Sequence, residues 1–287
     1  MGPVELAVDV RHELGESVLW DDRAGELVWV NIHAGEIWRH SERGGVIRHA
    51  LPDRVGAIGL RRGRGYVVGL AIGFGFFDPT TGIHDPVAAV EADLPHTRLN
   101  DGRCDRAGNF LCGGIDEGGA ATSGLYRFFP DGKVERLLAG VTCANSTCFS
   151  PDGGTLYFAD MPQGRIRCYD YDPAAPLGPE RPFCDFAGQR GLPDGSTVDA
   201  EGCLWSTHWG GGKIVRYAPD GAVLQEVALP VTNPTCLAFG GSDFRTLFIT
   251  TARFQLSADQ LKREPLAGAV LKMRTDVAGL PEPRFNG

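Results

Sequence analysis

Three oxygen-bearing side chains stand at matching places in the 287-residue sequence, each just ahead of a recurring pattern. Glu16 lies in Leu14-Gly15-Glu16-Ser17-Val18-Leu19-Trp20, Asn145 in Cys143-Ala144-Asn145-Ser146, and Asp194 in Leu192-Pro193-Asp194-Gly195-Ser196. Two carboxylates and an amide form a donor set that hard divalent cations such as Ca²⁺ or Mg²⁺ prefer and that Zn²⁺ or Mn²⁺ accept. Three protein ligands leave room for water and substrate, as a catalytic site requires. A fourth polar segment, Arg98-Leu99-Asn100-Asp101-Gly102, precedes another copy of the pattern.

Local spacing permits plainer readings of each residue. Asp194-Gly195 and Asp101-Gly102 are ordinary turn dipeptides. Glu16 reads equally as a solvated loop charge, and Arg98 as a surface charge. Asn145 reads as a turn residue, although no glycine follows it. His208, in Thr207-His208-Trp209-Gly210, faces either a channel or solvent, and solvent is the reading adopted.

The elements that must position these residues are short strands. With 40 Gly and 19 Pro, the chain is mostly turns and brief apolar runs. Asp22–Val30 followed by Gly35–His40 is one unit of turn, strand, Gly-containing turn and alternating strand. Like units recur at Gly65–Asp78, Asp105–Phe128, Pro151–Tyr169, Asp199–Tyr217 and Phe244–Met273. Their spacing, roughly 40–48 residues, is the period of four-stranded propeller blades. Six units predict an all-β six-bladed β-propeller over residues 1–287 as one domain. Val4–Val10 alternates without a partner unit and is expected to close the ring by pairing with the last blade. Helical periodicity is confined to Ser257–Arg263, with Ser257 as cap.

Composition narrows the function. Hydrophobic residues make up 43% of the chain and charged residues 22%, enough for a buried core. A net charge of −8 with both signs interspersed argues against a nucleic-acid surface. No secretory signal and no membrane-spanning run is read, so the expectation is a soluble cytoplasmic protein without a membrane partner, monomeric or a small homo-oligomer. None of the eight cysteines forms a C-x-x-C or a zinc-finger spacing with the seven histidines. Cys143 and Cys148, which bracket Asn145, are therefore expected to be reduced and packed, with Asn145 the working residue.

These segments resemble the SMP-30/gluconolactonase/LRE-like family, which includes regucalcin and bacterial sugar lactonases. The likeness runs in order through Leu14–Trp20, Arg98–Arg103, Asn145 with Phe149–Gly153, Leu192–Gly195, Asp199–Trp205, Phe239–Gly241, Thr250–Arg253 and Leu266–Ala269. The resemblance implies a six-bladed propeller holding one divalent metal ion, with Ca, Zn, Mn, Mg and Fe(II) all open. It implies Glu16, Asn145 and Asp194 as metal ligands, with Asp194 also the general base. It implies that Arg98 and Asn100 bind a small sugar lactone, with Asn100 a candidate for a further metal contact. A substrate-contacting acid in some members falls on Glu117 or on the glycines after it. Val55-Gly56-Ala57-Ile58-Gly59 matches a loop over the channel. The family usually has Asn-Gly where this chain has Asn145-Ser146.

The activity implied is opening of a pentono- or hexonolactone to its aldonic acid. The absence of Gly-x-Ser-x-Gly gives no support to a serine hydrolase. The alternatives are a propeller esterase or phosphotriesterase, a non-catalytic calcium-binding or scaffolding propeller, and a metal-free strictosidine-synthase-like propeller.

Overall fold

The computed structural model describes residues 1–287. Its 24 strands form six four-stranded antiparallel sheets arranged as a six-bladed β-propeller. The innermost strands, in blade order, are Gly15–Asp21, Val55–Leu60, Thr97–Cys104, Ala144–Phe149, Leu192–Val198 and Pro234–Gly240. In the first five blades the next three strands follow outward in sequence order. The sixth borrows its outermost strand from the other end of the chain: Glu5–Val8 pairs with Val270–Arg274. The alternating N-terminal segment thus closes the ring, as its pattern predicts. The helical segment is Ala258–Arg263, where Ser257 accepts the Gln260 N–H and Gln260 reaches back to the Ser257 N–H.

Burial explains why the repeat is needed. The core is six apolar clusters, each sandwiched between two neighbouring blades. Val28, Val30 and Ile37 of the first blade meet Ile58, Leu60 and Val68 of the second. Trp205 and Ile214 of the fifth meet Leu237, Phe239 and Ile249 of the sixth. Each such side chain contributes about 1.5–3 kcal/mol by leaving water, and only an adjacent blade can cover it.

One expectation fails here. Val55–Leu60 is not a loop over the channel but the fully buried innermost strand of the second blade. Its small residues serve a close approach: a Cβ on Gly56 would sit 2.1 Å from the Leu99 carbonyl oxygen of the third blade.

Residues 278–287 cross the end of the channel away from Glu16. Gly279 donates to the Phe244 carbonyl, and Ala200 donates to that of Ala278. Phe285 donates to Leu60, and Asn286 donates to Gly108. Glu282 reaches the buried Arg103 at 3.5 Å, and Arg284 pairs with Asp21 at 2.6 Å. This tail is tied to the first, second, third, fifth and sixth blades and closes one mouth. No helix is long and apolar enough to cross a membrane.

His12 ties the ring closure together. Its backbone N–H donates to the Gly268 carbonyl, and the Trp29 indole N–H donates to its Nε2 at 2.8 Å. That bond needs the neutral ring, and burial pushes the His12 pKa down to about 4. A group whose folded pKa is depressed contributes stability above its unfolded pKa and loses it as pH falls toward the folded one. Unfolding free energy is therefore expected to drop between pH 6.5 and about 4, by about 3 kcal/mol from this group. His208 is pushed down in the same window, so the His12 share is the difference between wild type and His12→Leu. Denaturant titrations at several pH values check this. The variant should be less stable at pH 7 but show the shallower pH slope.

Candidate functional site

The site lies at the open end of the channel, where the innermost strands begin. Glu16, Asn145 and Asp194 occupy matching positions on the innermost strands of blades one, four and five, and all three are buried. Each strand carries a bulge at that point. A bulge interrupts the ladder and turns a side chain that would otherwise alternate away. Ser17 and Ser146, the residues after Glu16 and Asn145, have φ of 48° and 59°. This left-handed backbone is uncommon for residues with a Cβ and accounts for a glycine suiting the position. Both serines have partners. The Ser17 hydroxyl oxygen accepts the Ile58 N–H at 3.0 Å, and the Ser146 hydroxyl donates to the Asp194 carbonyl at 2.7 Å.

Asp194-Gly195 is not a turn. It sits within the strand Leu192–Val198, and a Cβ on Gly195 would lie 2.6 Å from the Thr235 carbonyl oxygen. The glycine allows two innermost strands to approach. Asp101-Gly102 is likewise inside a strand, where the buried Asp101 accepts the Thr147 N–H at 2.8 Å. Arg98 is no surface charge, since its side chain is only 3% exposed.

The electrostatics call for a cation. Burial first, then the charge of Asp101, pushes the Glu16 pKa up to about 8. Burial, then Glu16, then Asp101 drives the Asp194 carboxyl well above its usual range. The two nearby guanidiniums make their ion pairs elsewhere, Arg98 with Glu117 and Arg103 with Glu282, and Arg98 offsets the repulsion on Glu16 only in part. No side chain hydrogen-bonds the Asp194 carboxylate, and Glu16 accepts only the Ser17 N–H, at 2.9 Å. The Asn145 amide nitrogen points to the Cys143 sulfur at 3.7 Å, leaving its oxygen free. No cluster of three His, Cys, Asp or Glu side chains could hold a metal. The set here has two carboxylates and takes its third oxygen from an amide. Buried carboxylates facing one another without a counter-charge, beside a free amide oxygen, fit a hard divalent cation.

Around this set lies a polar wall. Arg98 donates through Nε to Glu117 at 3.0 Å and through Nη1 to the Asn100 amide oxygen at 2.7 Å. The Asn100 amide nitrogen donates to the Ala144 carbonyl at 2.8 Å. Both ends of Asn100 are thus engaged, which makes it a strut between blades three and four. Glu117, in the turn after Phe110–Asp116, stands against Arg98. Sequence reasoning missed Arg54, which meets the same carboxylate at 2.7 Å and 2.9 Å. It stands in an ordinary loop, and its one signal is its place immediately ahead of an innermost strand.

His208 does not face solvent. It is fully buried, with its ring stacked on Phe186 at 4.3 Å and its Nε2 3.1 Å from the Tyr217 hydroxyl. Its strand pairs it with Pro193, so the ring falls into the interblade core. All eight cysteines are unpaired. Cys148 packs in an interblade cluster, whereas Cys143 borders the site beside Asn100 and Asn145.

Comparison with known proteins places the chain in a family. Residues 14–253 match the SMP-30/gluconolactonase/LRE-like family, and the chain belongs to it. It is 40% identical to an L-arabinolactonase from Azospirillum brasilense, over 100% of this chain and 96% of that one. It is 36% identical to a 6-deoxy-6-sulfogluconolactonase from Pseudomonas putida, over 96% and 95%. A crystal structure of a calcium-binding protein, regucalcin, from Agrobacterium tumefaciens superposes with a TM-score of 0.95 at 31% identity, covering 100% of this chain and 98% of that one.

The charge argument has a measurable consequence. Asp194→Asn removes one of two opposed buried carboxylates, so the metal-free variant is expected to melt no lower than the wild type. The wild type is expected to gain melting temperature with saturating Ca²⁺, Mn²⁺ or Zn²⁺ through selective binding to the folded state, and the variant is expected to lose that gain. Thermal unfolding in chelator and with each metal checks both halves.

Proposed function

We propose that this member of the family is a metal-dependent sugar lactonase. It would hydrolyse an aldonolactone, a pentono- or hexonolactone, to the aldonic acid. The observation that carries the reading is the buried Glu16, Asn145 and Asp194 set, which lacks a counter-charge and lies beside the Arg98 wall. The relatives that are lactonases support the substrate class. Regucalcin relatives, and the calcium-binding protein of like fold, support a divalent ion.

Glu16, Asn145 and Asp194 would hold the ion, whose identity among Ca, Zn, Mn, Mg and Fe(II) is open. When bound, such an ion supplies Lewis-acid polarisation of a carbonyl and a lowered pKa for water. Asp194 would take a proton from the attacking water. Burial, Glu16 and Asp101 favour its protonated form in the metal-free protein, and a bound cation would return it to the carboxylate that a general base must be. The water oxygen would bond to the lactone carbonyl carbon, the ring C–O bond would break, and the ring oxygen would leave as a hydroxyl carrying the proton that Asp194 returns. Arg98 keeps Nη2 free of protein partners and would donate it to a sugar oxygen. Glu117, with two guanidiniums on it, has about one of its four acceptor positions left for a substrate hydroxyl. Asn100 would act by fixing Arg98.

A pH-stat assay of pentono- and hexonolactones tests the reading. Wild type is expected to turn over in buffer, to stop in chelator and to recover when single metals are added back. Asp194→Ala should lose roughly 10²–10⁴-fold in kcat/KM while keeping its fold by circular dichroism. Near-wild-type rates in the variant on every lactone would refute the assignment. Metal binding without turnover on any lactone or ester would favour a calcium-binding propeller.

A further inference from the structure

The polar link between the second and third blades differs from the others. At four of the other five boundaries, side chains of the innermost strands reach across inside the channel, and at the fifth–sixth boundary Thr207 of the second strand reaches the Thr235 carbonyl. Ser17 accepts the Ile58 N–H, Asn100 donates to Ala144, Ser146 donates to Asp194, and Thr235 donates to Gly15. The second blade's innermost strand, Val-Gly-Ala-Ile-Gly-Leu, has no polar side chain to offer. Apart from a weak Cys104 thiol contact to the Leu60 carbonyl, its boundary with the third blade is bridged at the mouth, by Arg54 and Glu117.

The geometry of that bridge is specific. Arg54 uses Nη1 alone for both Glu117 oxygens. Arg98 uses Nε for one of them. Arg98 is buried, and Glu117 is its one ion-pair partner, yet Glu117 itself is 37% exposed on a turn. A half-exposed Glu side chain held by a single bond has rotamer entropy of the order of 1 kcal/mol or more working against the contact. The Arg54 contact removes that freedom. The close approach at Gly56 and Leu99 brings the two blades near enough for Arg54 to reach.

We propose that Arg54 is a positioning residue for substrate binding: it pins the Glu117 carboxylate against Arg98, so that Arg98 presents its free Nη2 to the sugar in one orientation. This rests on the lactonase reading. Arg54 acts through Glu117 and Arg98 rather than on the scissile bond, so its removal should weaken binding and spare the chemical step.

The test is a double-mutant cycle over Arg54→Ala and Glu117→Ala, with Arg54→Lys as the conservative variant, on a lactone that the wild type opens. Arg54→Ala should raise KM about five- to tenfold and leave kcat within about twofold. Arg54→Lys should recover part of that loss, because an ammonium reaches the carboxylate. Arg54→Ala should add nothing in the Glu117→Ala background. A fall in kcat with KM unchanged overturns the proposal, and so do additive effects.

A second readout does not depend on turnover. Burial raises the Glu117 pKa, but the contacts from Arg54 and Arg98 outweigh it and hold the group below the usual Glu range. Carbon-13 NMR titration of the free protein should show Glu117 titrating higher in Arg54→Ala than in wild type. An unchanged titration overturns the positioning role. Wild type inert toward every lactone, with the Glu117 shift present, would instead sink the lactonase reading and leave the pinning intact.

Discussion

Six strand edges face one narrow channel, and every peptide group on them needs a partner that no neighbouring strand can supply. The rest of the structure follows from how this need is met. The Thr207 hydroxyl lies within hydrogen-bond reach of two carbonyls, those of Gly195 and Thr235, either of which its one proton can serve. Arg103 crosses the channel from the third blade to Thr197 and the Leu237 carbonyl. Asp101 takes up the Thr147 N–H. The polar residues of the channel are first a lining that satisfies the backbone. A few are left over, among them Glu16, Asn145 and Asp194.

The same constraint sets the charge pattern. Arg103 near the closed end has Glu282 from the C-terminal tail beside it. At the open end Arg98 has Glu117. Positive charges are thus neutralised locally at both ends, while Glu16 and Asp194 between them are not. In a protein interior an unpaired carboxylate is driven to take a proton or find a cation. Two of them facing one another, with a neutral amide oxygen alongside, form an arrangement that gains from a doubly charged ion more than from any single side chain. A third carboxylate ligand would deepen the negative charge, so an amide at Asn145 suits the site.

The propeller was legible because its signal is a period, repeated often enough to survive local ambiguity. The N-terminal strand was legible for the same reason: it had the pattern of a strand and no unit to belong to. The dipeptides were harder. Asp194-Gly195 and Asp101-Gly102 read locally as turns, since a glycine after an acid usually frees the backbone. Here the glycine removes a side chain so that two innermost strands can touch, which is a fact about packing that no local window contains. His208 was misread because alternation shows that a residue faces one side of a strand, not whether that side is the channel or the gap between blades. Arg54 left almost no trace, because its partners are more than forty residues away and its own loop is unexceptional.

The site therefore has two kinds of part with different freedom to change. The metal-fitting residues sit on innermost strands, at bulges, with left-handed backbone at Ser17 and Ser146 and with both faces packed. Moving any of them disturbs the interblade contacts on either side. Arg54 and Glu117 sit on connections at the mouth and touch the centre only through Arg98. A change there alters what Arg98 presents without reaching the strands below. On the proposed reading, chemistry in this fold is fixed by the innermost strands, and substrate choice is left to the connections at the mouth. That division follows from packing alone: a buried strand has neighbours on every side, and a connection has them on one.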